Sequence, residues 1–140
     1  MPPVAAPKGI TMPPHVVVCD DEAHITRMIA LKLDRAGFEV HTASDAETAW
    51  ELIERTQPSL VITEDKLSGM SGWDLIERLR STPETFDTAC IVMTHDAIER
   101  VQDQLRADEF HVQAVVPKPF SMQSLVMLAK SLTPPKPVWA

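Results

Sequence analysis

The apolar residues fall into two kinds of pattern, short unbroken runs and longer stretches with helical spacing. Val16-Val17-Val18-Cys19 is an unbroken run rich in β-branched residues, as suits a strand buried on both faces. Residues 22–36 carry Ile25, Met28, Ile29, Leu31, Leu33 and Ala36 at mostly helical spacing, with Gly37 as the stop. Residues 38–43 alternate and predict an edge strand, after which Ser44-Asp45-Ala46-Glu47 has the form of a capping box. The helix it opens turns Ala49, Trp50, Leu52 and Ile53 inward and ends at Gln57-Pro58. Residues 60–63 form a central strand that runs into Glu64-Asp65-Lys66 and the loop Gly69-Met70-Ser71-Gly72. A helix over 73–80 follows, with Leu75, Ile76 and Leu79 on one face and Thr82-Pro83 closing it. Residues 88–94 give another buried strand, and 97–108 a helix striped by Ile98, Val101 and Leu105. The last strand, 114–116, breaks at Pro117-Lys118-Pro119. Ser121 caps a final helix carrying Leu125, Val126, Leu128, Ala129 and Leu132. Five strands alternating with five helices predict an α/β fold, a parallel sheet with helices on both faces.

Composition bounds this picture. The chain has 140 residues, 44% of them hydrophobic, which is enough for one domain with a full core. Eight of its 12 prolines, Pro2, Pro3, Pro7, Pro13, Pro14, Pro134, Pro135 and Pro137, lie at the two ends. The expected organisation is a flexible arm over 1–14, a globular domain over 15–132 and a Pro-rich tail over 133–140. A net charge of -7 argues against a nucleic-acid surface and against anionic lipid. No stretch resembles a signal peptide or a membrane span, so the expected location is the cytoplasm. Cys19 and Cys90 sit in apolar runs, and another strand is expected between theirs, so they read as buried free thiols.

The polar clusters follow the strands. Asp20-Asp21 comes after the first, Glu64-Asp65 after the third, Thr94-His95 after the fourth and Lys118 after the fifth. In an open parallel sheet these ends converge, and ligands bind there. Carboxylates gathered so closely repel unless a hard cation sits among them, and Mg²⁺ is the natural candidate. Each residue alone has a plainer reading: helix caps for Asp20, Asp21 and Thr94, a solvated charge for Lys118, a surface residue for His95. Their joint placement at successive strand ends is what points to a site.

On these residues the chain resembles the receiver domain of two-component response regulators, over about 15–132. Val18-Cys19-Asp20-Asp21-Glu22 resembles the family's metal-holding acidic pair. The stretch from Pro58 to Gly72 resembles the strand and loop of the phosphoacceptor aspartate. Ile91-Val92-Met93-Thr94 resembles the strand ending in the hydroxyl that meets the phosphoryl group, and Val116-Pro117-Lys118-Pro119-Phe120 the Lys-Pro-Phe motif. The resemblance implies a doubly wound (βα)5, flavodoxin-like fold with strand order 2-1-3-4-5. It implies Mg²⁺ held by Asp20, Asp21 and the Lys66 backbone carbonyl, a cis bond before Pro119, and phosphoryl contacts from Thr94 and Lys118. It also implies a signalling module in a phosphorelay rather than a turnover enzyme. Its partners would be proteins, a histidine kinase, phosphotransfer protein or downstream effector, meeting about 97–132 or the first helix.

The departures are specific. The phosphoacceptor position is Glu64, and bringing Asp65 into it would shift the Gly69–Gly72 loop by one residue. Val115 stands where the family has an aromatic switch, His95 where it prefers a small residue, and Ser68 where it has proline. The glutamate carboxylate sits one methylene further out, nearer the position of phosphoryl oxygens, where it could pair with Lys118 and accept a bond from Thr94. Three readings follow: a stand-alone receiver held partly toward its active-like state without phosphate, a degenerate site, or phosphorylation on Asp65. Two rivals lie outside signalling, a flavodoxin-type small-molecule binder and a Mg²⁺-dependent phosphohydrolase. Asp20-Asp21-Glu22 would repel the phosphate the first must cradle, and the Asp-x-Asp pair the second needs is missing.

Overall fold

The computed structural model describes residues 12–95 and 99–134, the side chains of 99–101 excepted. The elements alternate strictly: β1 His15–Cys19, α1 Ala23–Arg35, β2 Glu39–Ala43, α2 Ala46–Thr56, β3 Leu60–Glu64, then α3 Gly72–Arg80, β4 Ala89–Thr94, α4 Glu99–Glu109, β5 Ala114–Pro117 and α5 Met122–Leu132. The strands form one parallel sheet in the order β2-β1-β3-β4-β5. The parallel sheet follows from the alternation of patterns, and its order is the doubly wound one that the resemblance implies. β3 lies between the strands carrying Cys19 and Cys90, both of which are free and buried. Burial pushes the Cys19 thiol up to about 12 and the Cys90 thiol up to about 11, so neither is a reactive thiolate.

Strand alternation sorts the core into two layers. Val16, Val18, Leu60, Ile62, Ile91 and Met93 pack with Ile29 and Leu33 of α1 and with Leu125 and Ala129 of α5. Val17, Cys19, Val61, Cys90 and Val92 pack with Ala49, Trp50 and Ile53 of α2 and with Trp73, Leu75, Ile76 and Leu79 of α3. This parity also decides which side of the sheet each functional residue reaches.

The helix boundaries follow local chemistry. Gly37 stops α1 at φ +100°, and Gln57 ends α2 in the left-handed region at φ 48°. The cap of α2 is Asp45 rather than Ser44: its carboxylate accepts from the Thr48 N–H at 2.8 Å, so the predicted Ser44–Glu47 box is off by one residue. A reciprocal capping box opens α3 instead, between Ser71 and Asp74. Ser121 caps α5 as its sequence predicts. Thr133, assigned to the tail, is buried against α5, its hydroxyl donating to the Ala129 carbonyl at 2.8 Å. At the other end the Pro14 carbonyl already accepts from Glu39 N–H at 2.9 Å. The rest of the predicted arm and tail, 1–11 and 135–140 with Trp139, lies outside the described residues.

Two apolar stripes differ from expectation. Met28 and Leu31 of α1 are half exposed, and Thr26 is one of its buried positions beside Ile29 and Leu33. In α4, Leu105 is 66% exposed, and Ala107 and Asp103 are the buried positions among its described side chains. Ile98 lies outside the described residues, as does the side chain of Val101. Apolarity alone misplaced this face because its inward contact is polar: the Trp73 indole N–H donates to Asp103 Oδ1 at 3.0 Å.

Arg80, at the end of α3, is a structural clasp. Its guanidinium donates to the carbonyls of Phe110, Phe86, Thr88 and His111 at 2.8, 3.0, 2.7 and 3.3 Å. It thereby ties the end of α3 to the entry of β4 and the turn after α4.

Candidate functional site

The carboxyl ends of the strands are pinned by backbone bonds that continue the ladder. Asp20 N–H donates to Ala43 O, Asp65 N–H to Met93 O and Lys118 N–H to Thr94 O, at 3.1, 3.0 and 2.7 Å. Gly72 fixes the crossing of the loop over β3. A Cβ there would lie 2.0 Å from the Glu64 carbonyl oxygen, so only glycine admits the approach. The Gly72 N–H donates to Asp65 O at 3.0 Å, which locks the register of the loop against the end of β3.

Parity then divides the polar residues. Glu64 continues the Leu60–Ile62 row toward the α1/α5 side, where Asp20 and Lys118 continue the rows of Val18 and Val116. The Lys118 ammonium donates to Asp20 Oδ2 at 2.5 Å and to Glu22 Oε1 and Glu64 Oε1, both at 3.3 Å. His95 bridges the same two glutamates, Nδ1 to Glu64 Oε1 at 2.8 Å and Nε2 to Glu22 Oε1 at 2.9 Å. Glu64 is 2% exposed and Asp20 fully buried, whereas Asp21 is exposed at the rim. The Lys118–Pro119 peptide bond is cis.

Asp65, Thr94 and Val115 belong to the opposite row. Asp65 is 3% exposed and faces Asp103, beside Trp73 and Lys66, in a cavity of about 240 Å³ under α4. The Thr94 hydroxyl leans to this side as well. It is near enough to favour the Asp65 carboxylate but lacks hydrogen-bond geometry to any group. The bond from Thr94 to Glu64 expected from the sequence is therefore absent, because the two residues stand on strand positions of opposite parity. Val115 is half-buried against the α2/α3 layer.

Charge is out of balance in the Glu64 crevice. Asp20, Glu22 and Glu64 set three carboxyls against one lysine and a half-exposed histidine. Burial, then the neighbouring Asp20 carboxylate, push the Glu64 carboxyl up to about 8, against the pull of Lys118. Glu22, at the rim, is held below the usual carboxylate range by His95 and Lys118. The Lys118 ammonium is raised by Asp20, Glu64 and Glu22 despite its burial, so it stays charged. Across the sheet, burial and the facing Asp103 carboxyl push Asp65 up to about 6.

A divalent cation fits this donor set. Asp20, Asp21, Glu22 and Glu64 each offer an oxygen within 4.8 Å of the others, and the buried Glu64 Oε2 has no hydrogen-bond partner. Oxygen ligands and surplus negative charge suit Mg²⁺. His95 escaped the sequence reading as a functional residue. The available signal was its place directly after Thr94, at the end of a central strand.

The response regulator receiver domain model matches residues 16–130. The chain belongs to this family. The phosphate regulon transcriptional regulatory protein PhoB of Pseudomonas aeruginosa is 32% identical over 84% of this chain and 50% of its own length. A response regulator receiver domain protein of Clostridium thermocellum is 25% identical, with a TM-score of 0.77 over 85% of this chain and 93% of that one. Chemotaxis response regulator CheY4 of Vibrio cholerae shares the fold at a TM-score of 0.78 and 20% identity, over 86% of this chain and 99% of that one. The receiver spans about half the length of the curated relatives it matches. Receiver domains are signalling switches of two-component systems and generally bind Mg²⁺ at the acidic pocket. No helix among the described residues is long and apolar enough to cross a membrane.

Proposed function

We propose that this receiver works as a protein-interaction switch of a phosphorelay without taking up phosphate at its central position. The observation that carries this reading is Glu64: its carboxyl fills the position beside Asp20 and Lys118 and is further engaged by His95 at 2.8 Å. In-line phosphoryl transfer depends on placement of the attacking oxygen, and an error of about 1 Å costs on the order of 100-fold. Glu64 is one methylene too long and its nearer oxygen is occupied by the Lys118 ammonium and the His95 ring. Asp65 is no substitute, since its carboxyl points under α4 toward Asp103, away from Lys118.

Asp20 and Asp21, with oxygens of Glu22 and Glu64 beside them, would hold Mg²⁺, and the Lys66 backbone carbonyl is the further ligand that the family resemblance implies. The ion would supply positive charge to offset the carboxylates. The residues themselves do the positioning: Lys118 draws Asp20 and Glu64 together, and His95 ties Glu64 to Glu22. With the surplus charge offset, Glu64 is the anion that Lys118 reads in place of a phosphoryl group. Partners are proteins, a histidine kinase, phosphotransfer protein or effector meeting the surface over 97–132 or α1. The chain's own surface carries a charge of -7, which favours no contact with nucleic acid. PhoB and its kin are transcriptional regulators by name, so any such output belongs to segments beyond the receiver.

Amide spectra of the Mg²⁺-bound protein test the switch reading. Replacing Glu64 with alanine should move resonances along β5 and α4 as well as those beside residue 64. Shifts confined to the crevice would instead mark a degenerate site with no switching left.

A further inference from the structure

At the other end of the strands, a second cluster of ligating side chains has no part in this switch. The β1–β2 pairing sets His15 opposite Glu39 and Val17 opposite His41. Successive residues of a strand alternate faces, so His15, Glu39 and His41 emerge on one side of the sheet, the side that packs on α2 through Val17. Here α2 has ended at Thr56, and Gln57 and Ser59 beyond it line a small cavity with His15.

The two imidazoles lie nearly in parallel planes, 3° apart, with centroids 5.3 Å apart. His15 Nδ1 and His41 Nε2 are 3.0 Å apart, and the other His15 nitrogen is 3.4 Å from Glu39 Oε2. One donor atom from each of the three residues falls within 4.8 Å of the others. In a tetrahedral site with metal–ligand bonds of about 2.0–2.1 Å, neighbouring donors stand roughly 3.3 Å apart. The two short distances are made by opposite nitrogens of His15, so an ion that takes one nitrogen from each imidazole needs the His15 ring to turn and the donors, now within 4.8 Å of one another, to close toward that spacing. The His15 side chain is 33% exposed and that of Glu39 54%, so both have room to do so. Arg55, near His41, weighs against any cation and limits affinity.

We propose that His15, Glu39 and His41 form a site for a borderline divalent cation of the Zn²⁺ type. Two imidazoles and one carboxylate supply three protein ligands and leave a position for water. Nitrogen donors select zinc-like ions over Mg²⁺, which the oxygen-lined crevice suits instead. The bound ion joins the first strand to the edge strand at the end remote from Glu64. It therefore stabilises β2, one of the two edge strands, without touching the switch.

The test is calorimetric titration of the full chain with zinc chloride, for wild type and for His15→Gln, His41→Gln, Glu39→Gln and His95→Gln. The last variant controls for the alternative group of Glu22, Glu64 and His95. One equivalent should bind to wild type and to His95→Gln with the same affinity. Loss of either imidazole should weaken binding at least ~10-fold, and loss of the carboxylate should weaken it less. Zinc should also raise the melting temperature of wild type but not of His41→Gln. Glu39 is exposed, so its variant folds whatever the fate of the histidine variants. Unchanged affinity in the His15 and His41 variants, loss in His95→Gln alone, or no binding to wild type at millimolar zinc would each overturn the site.

Discussion

One methylene separates Glu64 from the aspartate that the family resemblance implies at its position, and neighbouring residues show how tightly Glu64 is held. Gly72 is the most constrained of them. A methyl group there meets the backbone oxygen of Glu64, an atom the strand ladder holds in place. Gly72→Ala should cost at least about 2 kcal/mol and lower the melting temperature by roughly 6 °C or more. Thermal denaturation checks this, and a neutral result would mean that the loop crosses β3 less closely than described. Asp65 makes a prediction with a definite sign. Its carboxyl is raised from 3.8 to about 6, so the folded protein keeps a proton that the unfolded chain releases. That contribution to stability is full below pH ~4 and is lost as pH rises through about 6. An asparagine at 65 is neutral throughout and can donate to the partnerless Asp103 Oδ2. Asp65→Asn should therefore be more stable than wild type at pH 7.5, by on the order of 1 kcal/mol or about 3 °C, with the gain shrinking by pH 4.5. Melting curves at the two pH values decide it.

At the scale of elements, α4 and the clasp of Arg80 show where pattern reading stops. The β-strands were legible because β1, β3, β4 and β5 are apolar runs between turn residues and β2 alternates as an edge strand does, and both core layers follow from strand alternation. α1, α2, α3 and α5 were legible to within a residue or two. The inward face of α4 was not, because its anchor is a tryptophan N–H on a buried aspartate, and hydrophobic periodicity is blind to such a contact. The same holds for Arg80, which looks like a solvated charge at a helix end. Its donors satisfy carbonyls contributed by segments 6 to 31 residues away, a relation visible only once the chain has folded. Arg80→Ala leaves these carbonyls without partners and should destabilise the fold by about 2–3 kcal/mol, whereas an exposed arginine would cost within ~0.5. Urea denaturation with an unchanged m value is the check.

For the whole molecule, convergence of strand ends brought Asp20, Glu64 and Lys118 together as their spacing implied, and parity explains why Thr94 and Asp65 went elsewhere. Parity is readable from sequence, since it only requires counting along each strand. His95 was harder, because its bridging role depends on two glutamates from different segments arriving on either side of it. The resulting crevice gives the central position a carboxyl held by lysine and histidine. The opposite carboxyl, Asp65, is folded away beneath α4. Incubation with Mg²⁺ and a small-molecule phosphodonor, read by intact mass, tests this arrangement most directly. Wild type should gain no phosphoryl group, and Glu64→Asp, with the shorter side chain in the same place, should gain one. A stable phosphoryl adduct on wild type, at Glu64 or at Asp65, would contradict the account.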